Sequence, residues 1–253
     1  MAFRTYCLGF LLAAASGSRA WQQINVRDST VRAVVFAPGA GFYFPMADLR
    51  QRTGVFYGVG GSIFYKTSRN FYWEGEGAFF TGNRIREKDA LTRLATDDGF
   101  IIAQDGGFAD VRILFRGWHA VFSVGTLLVR WGPNPNCGLY LKAGAGWHGH
   151  KIRIEVQNNN VPALQGEYKK GYDRLRGGIG LVQEVGYIFF SNNKRITFRT
   201  GVAFQEAFTR SLRGFNYDSG TPDARTYSDI AFAIKLAWMI PAYIRPSEFY
   251  YTR

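Results

Sequence analysis

Apolar residues alternate with small or polar ones in eight segments along this chain, and the connections between segments are alternately short and long. The fifth segment is the clearest. Leu139, Leu141, Ala143, Ala145 and Trp147 occupy its odd positions, and Tyr140, Lys142, Gly144, Gly146 and His148 its even ones. A two-residue period puts these sets on opposite faces of a β-strand. One face is wholly apolar and the other carries Lys and His. A water-soluble barrel keeps its apolar face inward, so this pattern describes the inverse, with lipid outside and a polar lumen.

The same reading extends to the other segments. Strand one covers Val31 to Phe44 with a bend at Pro38-Gly39, strand two Val55 to Lys66, and strand three Phe71 to Thr81. Residues 82–107 are rich in charge and turn formers, and Phe100 to Val111 reads as a hairpin projecting beyond the wall. Strand four then runs toward Arg130, and strand five covers Gly138 to Glu155. Strand six spans Tyr172 to Phe190, strand seven Arg195 to Thr209, and strand eight Ser228 to Ile240. Thr67–Asn70, Pro133–Asn136 and Ser191–Lys194 are tight turns, whereas Pro45–Thr53, 82–107, Gln157–Gly171 and Gly214–Thr226 are longer loops. The expected fold class is therefore all-β: an eight-stranded antiparallel transmembrane β-barrel with short periplasmic turns and long extracellular loops. An even strand number places both termini on the short-turn side.

Residues 1–20 read as a secretory signal, with Arg4, the apolar run Leu8–Ala15, and Ser18-Arg19-Ala20 as a cleavage site. Residues 21–30 form a polar periplasmic lead, 31–240 the barrel, and 241–253 a periplasmic tail. Cleavage removes Cys7, so Cys137, placed in a turn, becomes a lone thiol with no disulfide partner. It also removes Arg4 and Arg19, leaving 29 basic against 19 acidic residues. For an exported barrel the fitting anionic partner is lipid phosphate, and no nucleic-acid role is expected.

Parity assigns Glu74, Glu76, Lys142, Arg176, Glu184, Arg199 and Lys235 to the lumen, with Lys66 near the turn rim. An eight-stranded barrel is just wide enough to be filled by its own side chains. Charges enclosed there must pair, because each one left unpaired costs several kcal/mol. The expectation is an interlocked network of Glu with Arg and Lys and no open channel; a proton or ion path is the alternative. Inward Gly58, Gly60, Gly144, Gly146, Gly178 and Gly180 are expected to relieve crowding around the large charged side chains. Tyr65, Trp73, Tyr187 and Trp238 share outward parity near the short-turn rim, where an aromatic girdle meets lipid headgroups.

The sequence offers little catalytic chemistry. His148 and His150 share a face at i and i+2 but lack an evident third ligand, so neither a metal nor a cofactor is expected. Ser62 and Ser123 face the lumen without a His-x-Ser grouping, and the Gly-x-Gly runs have no following helix to make a phosphate loop. The chain reads as non-enzymatic. Loop and rim bases Arg84, Arg86, Lys88, Lys151, Arg153, Lys169 and Lys170 are candidate contacts for lipopolysaccharide phosphates. Tyr243, Phe249, Tyr250 and Tyr251 give the tail a surface for docking a partner.

With these features on residues 30–240, the chain resembles the small outer-membrane barrels of OmpA, OmpX and OmpW type. The stretch Gly39–Leu49 (Gly-Ala-Gly-Phe-Tyr-Phe-Pro-Met-Ala-Asp-Leu) looks like the opening strand of such barrels from Bacteroidota-type envelopes. The resemblance implies an accessory subunit of a secretion or barrel-assembly complex, surrounded by outer-membrane lipid, lipopolysaccharide and other envelope proteins. It departs from full-length OmpA, because only a short tail follows strand eight. A narrow pore or transporter is the alternative function, followed by a lipid-modifying enzyme and a soluble binding barrel.

Overall fold

The computed structural model describes residues 26–87, 90–157 and 161–244. Its wall is a closed antiparallel ring of eight strands. In chain order these are β1 (Arg32–Met46), β2 (Phe56–Lys66), β3 (Phe71–Gly82), β4 (Asp110–Arg130), β5 (Gly138–Gln157), β6 (Arg176–Phe190) and β7 (Thr197–Ser211). A two-residue ladder, β8 (Phe215–Asn216) with β9 (Thr221–Pro222), sits in the last loop, and β10 (Thr226–Trp238) completes the ring. Each strand pairs with its neighbour in sequence, and β10 pairs with β1 from Gly39↔Ala237 to Met46↔Ile230. Closure of this kind leaves no free sheet edge around the ring, which is how a β-structure satisfies its backbone without water.

The alternation read from the sequence becomes inside and outside. Phe79, Phe122, Ile179 and Leu236 are at least 60% exposed on the outer wall, whereas Tyr72, Glu74, Tyr140, Lys142, Ala203 and Ala233 are buried inside. On β10 the outward Phe232, Ile234, Leu236 and Trp238 alternate with inward Ala231, Ala233, Lys235 and Ala237. Tyr65 stacks on Trp73 with ring centroids 6.1 Å apart near the rim of short connections, and the Tyr187 hydroxyl there donates to the Trp131 carbonyl at 2.8 Å.

Several boundaries differ from the sequence reading. Strand six begins at Arg176, since Tyr172–Leu175 belongs to the preceding loop. The stretch Phe100–Ala109 doubles back as a short hairpin, with the bridge Ile102↔Phe108 and the Ala109 N–H donating to the Ile101 carbonyl at 2.8 Å, but it ends earlier than expected, because Asp110 and Val111 already belong to β4. The final strand runs past Ile240: β11 (Ile240–Ile244) pairs with β1 from Arg32↔Ile244 to Phe36↔Ile240. The register is unchanged across the interruption at Met239. What breaks the ladder is Pro38, which faces this point and has no N–H to donate. Pro241 is accommodated because β11 has β1 on one side and no strand on the other. Residues 240–244 are therefore wall, and Tyr243 lies on the inward-facing set beside the buried cluster of that rim.

The polar lead is also corrected. Val26 and Val31 are buried in the mouth of the barrel on the short-connection side, packed with Phe64, Tyr140, Ile188 and Phe190. Asn136 clasps this segment: its Nδ2 donates to the carbonyls of Val26 (3.1 Å) and Ser29 (2.9 Å), and its Oδ1 accepts from the Val31 N–H at 2.9 Å. Cys137 is fully buried, and its Sγ exchanges hydrogen bonds with the backbone of Phe190 at 3.2 Å.

Inward glycines do make room, but chiefly for neighbouring backbone and aromatic rings. A Cβ on Gly58 would meet the Tyr43 ring at 2.5 Å, and one on Gly60 the Gly77 carbonyl at 2.1 Å. Gly125 is the position where charge matters: its Cβ would lie 2.4 Å from Tyr72 and 2.8 Å from the Lys142 Cβ. Gly125→Val is expected to lower stability by about 1–3 kcal/mol through overpacking. Gly75→Ala, which meets nothing within 4 Å, should leave it unchanged. Urea unfolding of the detergent-refolded protein, followed by electrophoretic mobility, measures both.

Candidate functional site

The lumen is occupied in three layers. At mid-height β3 supplies Glu74 and Glu76, β5 Lys142, β6 Glu184, β7 Arg199 and β10 Lys235. Lys142 is directly opposite Glu184 in the β5–β6 register and reaches across β4, where Gly125 and Ser123 leave the space. Its Nζ lies 3.0 Å from Glu74, 2.7 Å from Glu76 and 3.2 Å from Glu184. Arg199 holds Glu74 in a two-pronged contact at 2.7 Å on each arm. Lys235 lies 2.9 Å from Glu184 and also pairs with Glu76, and the Tyr140 hydroxyl donates to Glu184. Three carboxylates face three cations, so the cluster is neutral as a whole. Planar Arg–carboxylate pairing of this type is the strongest of the charge-assisted contacts.

Arg176 does not join this cluster. It starts β6, at the rim of long connections, where its guanidinium stacks over the Tyr227 ring at 3.4 Å and lies 3.8 Å from Glu87. Face parity was right for Arg176, but its height along the barrel puts it among a different set of partners. Glu87 there also meets Arg174 at 3.0 Å and Arg52 at 3.8 Å, and Arg174 pairs with Asp218 at 2.9 Å. Arg52 ends a short helix, α1 (Ala47–Arg52), and is completely buried. Burial pushes its guanidinium down to about 10, with Glu87 opposing the shift and Arg176 and Arg174 adding to it.

Between this cap and the charged layer lies an aromatic layer of Tyr43, Phe56, Phe80 and Phe115 under Leu49 of α1. His119 bridges the two layers, 3.3 Å from Glu76 and edge-on to Phe80. His150 pairs with Asp229 at 2.8 Å, and Thr209 donates to the same carboxylate. Among the described residues no group of three or more His, Cys, Asp or Glu side chains is arranged to hold a metal ion. At the opposite mouth Lys66 donates to the Val31 carbonyl (3.1 Å) and to Asn136 Oδ1 (2.9 Å) rather than to a carboxylate. A void beside the charged layer, bordered by Ser62, Glu76, Glu184 and Lys235, is ≈ 30 Å³. That is room for roughly two water molecules.

The outer face has its own polar feature. β4 and β5 continue past the start of β6, and the uncovered edge of β5 is taken by the loop before β6, with the Ile152 N–H donating to the Asp173 carbonyl at 2.8 Å. On the outside of this extension lies a groove of ≈ 760 Å³ whose lining includes Lys151, Arg153, Lys169 and Lys170 together with Arg116 and Arg213. Arg116 adds to the bases expected from the sequence; its outward parity on β4 is the available signal. Arg84 and Arg86 lie elsewhere, at the end of α1, where Gly54 and Arg50 contact them. Lys88 lies outside the described residues, as do Phe249, Tyr250 and Tyr251 of the tail. Tyr243 faces inward and is not an exposed docking residue.

No protein-family model and no curated protein sequence matches the chain. Among solved structures it is similar to the Neisserial surface protein A, with a TM-score of 0.45 and 8% identity over 82% of this chain and 96% of that one. The outer membrane protein OprG of Pseudomonas aeruginosa gives a TM-score of 0.45 and 12% identity over 85% and 99%. The attachment invasion locus protein Ail of Yersinia pestis, in complex with the heparin analogue sucrose octasulfate, gives 0.38 and 10% over 83% and 99%.

Removing one member of the mid-height cluster should expose its dependence on balance. Lys142→Met leaves three carboxylates with two cations and is expected to cost about 3–5 kcal/mol. Adding Glu76→Gln to it should recover part of that loss, a non-additivity that a double-mutant cycle in urea unfolding measures.

Proposed function

We propose that this protein is a non-enzymatic outer-membrane barrel that serves as a structural or accessory subunit of an envelope complex. The observation that carries this reading is the mid-height cluster, in which Lys142 is held by three carboxylates and the void bordered by Glu76, Glu184 and Lys235 measures ≈ 30 Å³. A lumen filled in this way leaves the outer surfaces as the places where the protein meets other molecules. The belt of Phe79, Phe122, Ile179, Ile234 and Leu236 around a charged interior supports placement in a bilayer, because a water-soluble barrel would have its apolar side inward. The loop rim is the surface offered to protein partners, and the aromatic residues that follow β11 in the sequence are the second candidate contact.

Because residues 240–244 belong to the wall, the informative truncation is a chain ending at Ile244. The tagged full-length protein and this variant are purified from native envelopes in mild detergent. Stoichiometric envelope partners with the full-length chain support the accessory role. Their loss on truncation assigns the contact to the tail, and their retention assigns it to the loops or wall. Recovery of the barrel alone from both overturns the proposal.

A further inference from the structure

The groove outside β4 and β5 combines two surfaces that a membrane lipid would recognise separately. Its lower border is Trp118 and Phe79, which sit opposite one another in the β3–β4 register and face outward with the apolar belt. Two residues toward the loop rim, roughly 7 Å along the strand, Arg116 and Lys151 stand directly opposite each other on the same outer face. Like charges placed across a strand pair destabilise it unless an anion lies between them. Lys169, from the loop packed against β5, borders the same space.

Local carboxylates do not neutralise this set. Asp173 is taken by Arg213 at 2.6 Å, Glu167 by Lys170 at 2.6 Å, and Glu155 by Arg153 at 2.7 Å. Arg116 uses its guanidinium on the Thr81 hydroxyl and on its own strand's carbonyl at 3.0 Å, neither of which carries charge. Lys151 and Lys169 make no ion pair among the described residues. Three cations thus line a groove of ≈ 760 Å³ immediately above two large apolar side chains.

We infer that this groove binds a phosphorylated lipid headgroup of the leaflet on the loop side, with Arg116, Lys151 and Lys169 contacting phosphate oxygens and Trp118 and Phe79 contacting the acyl chains. The charge of the groove calls for an anion, and its continuity with the apolar belt selects an anion carried by a lipid over one free in solution. Gly149 lies opposite Trp118, and a Cβ there would stand 3.1 Å from the indole nitrogen, so the glycine leaves room for the indole against β5. The inference rests on the membrane placement proposed above.

The test uses the full-length protein in nanodiscs of zwitterionic phospholipid carrying lipid A, either diphosphorylated or enzymatically dephosphorylated. Native mass spectrometry after release from the disc reads the lipid retained. Retention of the phosphorylated form, reduced about tenfold or more by the triple variant Arg116→Gln, Lys151→Gln, Lys169→Gln, supports the site; losing charge-assisted contacts costs at least that. The double variant Arg84→Gln, Arg86→Gln, whose bases are exposed but outside the groove, should retain lipid like the parent. Equal retention of both lipid forms, or no effect of the triple variant, overturns the site. Displacement by millimolar inorganic phosphate also overturns it, since it assigns the groove to a free anion. Failure of the parent protein to enter nanodiscs, seen as protein eluting without lipid, instead refutes the membrane placement on which the inference rests.

Discussion

Everything else in this barrel is arranged around the contacts of Lys142 with Glu74, Glu76 and Glu184. Once the apolar face of every strand points outward, the opposite face has to fill a narrow interior with whatever polar residues it carries. Charges in that space cannot be shed to water, and each unpaired one costs several kcal/mol. A neutral set of three carboxylates and three cations is the solution the chain adopts. It draws one or two members from each of β3, β5, β6, β7 and β10, so the network ties together strands that are far apart in sequence. Gly125 and Ser123 on the intervening β4 are small because Lys142 must pass over them.

Closure of the ends follows a different chemistry. The rim of short connections is plugged by Val26 and Val31, whose backbone is satisfied by the side chain of Asn136 and by Lys66. Toward the opposite rim, aromatic rings take over from charge, and a second ionic set of Arg52, Arg174, Arg176, Glu87 and Asp218 covers them. Polar and apolar layers thus succeed one another along the axis. The long β4–β5 hairpin extends this arrangement beyond the ring and carries its own apolar cluster with the loop that packs on it. Its outer side is where unpaired positive charge collects.

The amino-acid sequence makes face assignment legible and leaves height obscure. A two-residue period distinguishes Glu74, Glu76, Lys142, Glu184, Arg199 and Lys235 from the outward set without further information, because a slip of one residue would turn them all to the outside. Arg176 has the same parity, yet it meets Glu87 and Tyr227, since the stagger between strands decides which inward residues share a level. That stagger depends on closure and is not written in any one segment. Pro241 reads locally as the end of a strand, whereas an edge with a single partner tolerates it. The plug at Val26 and Val31 depends on Asn136, more than a hundred residues away, and the Pro-Asn-Pro-Asn turn gave no sign beyond its turn chemistry. The groove pairs Arg116 with Lys151 through a register that only the folded hairpin reveals.

Ion conductance across a planar bilayer tests most directly whether balanced charge closes the interior. Reconstituted full-length protein, verified as folded by its heat-modifiable mobility, is expected to give no stable single-channel steps at either polarity. Reproducible steps from the parent protein, growing with its concentration and abolished by heating, would contradict it and would require a continuous aqueous path past Lys142.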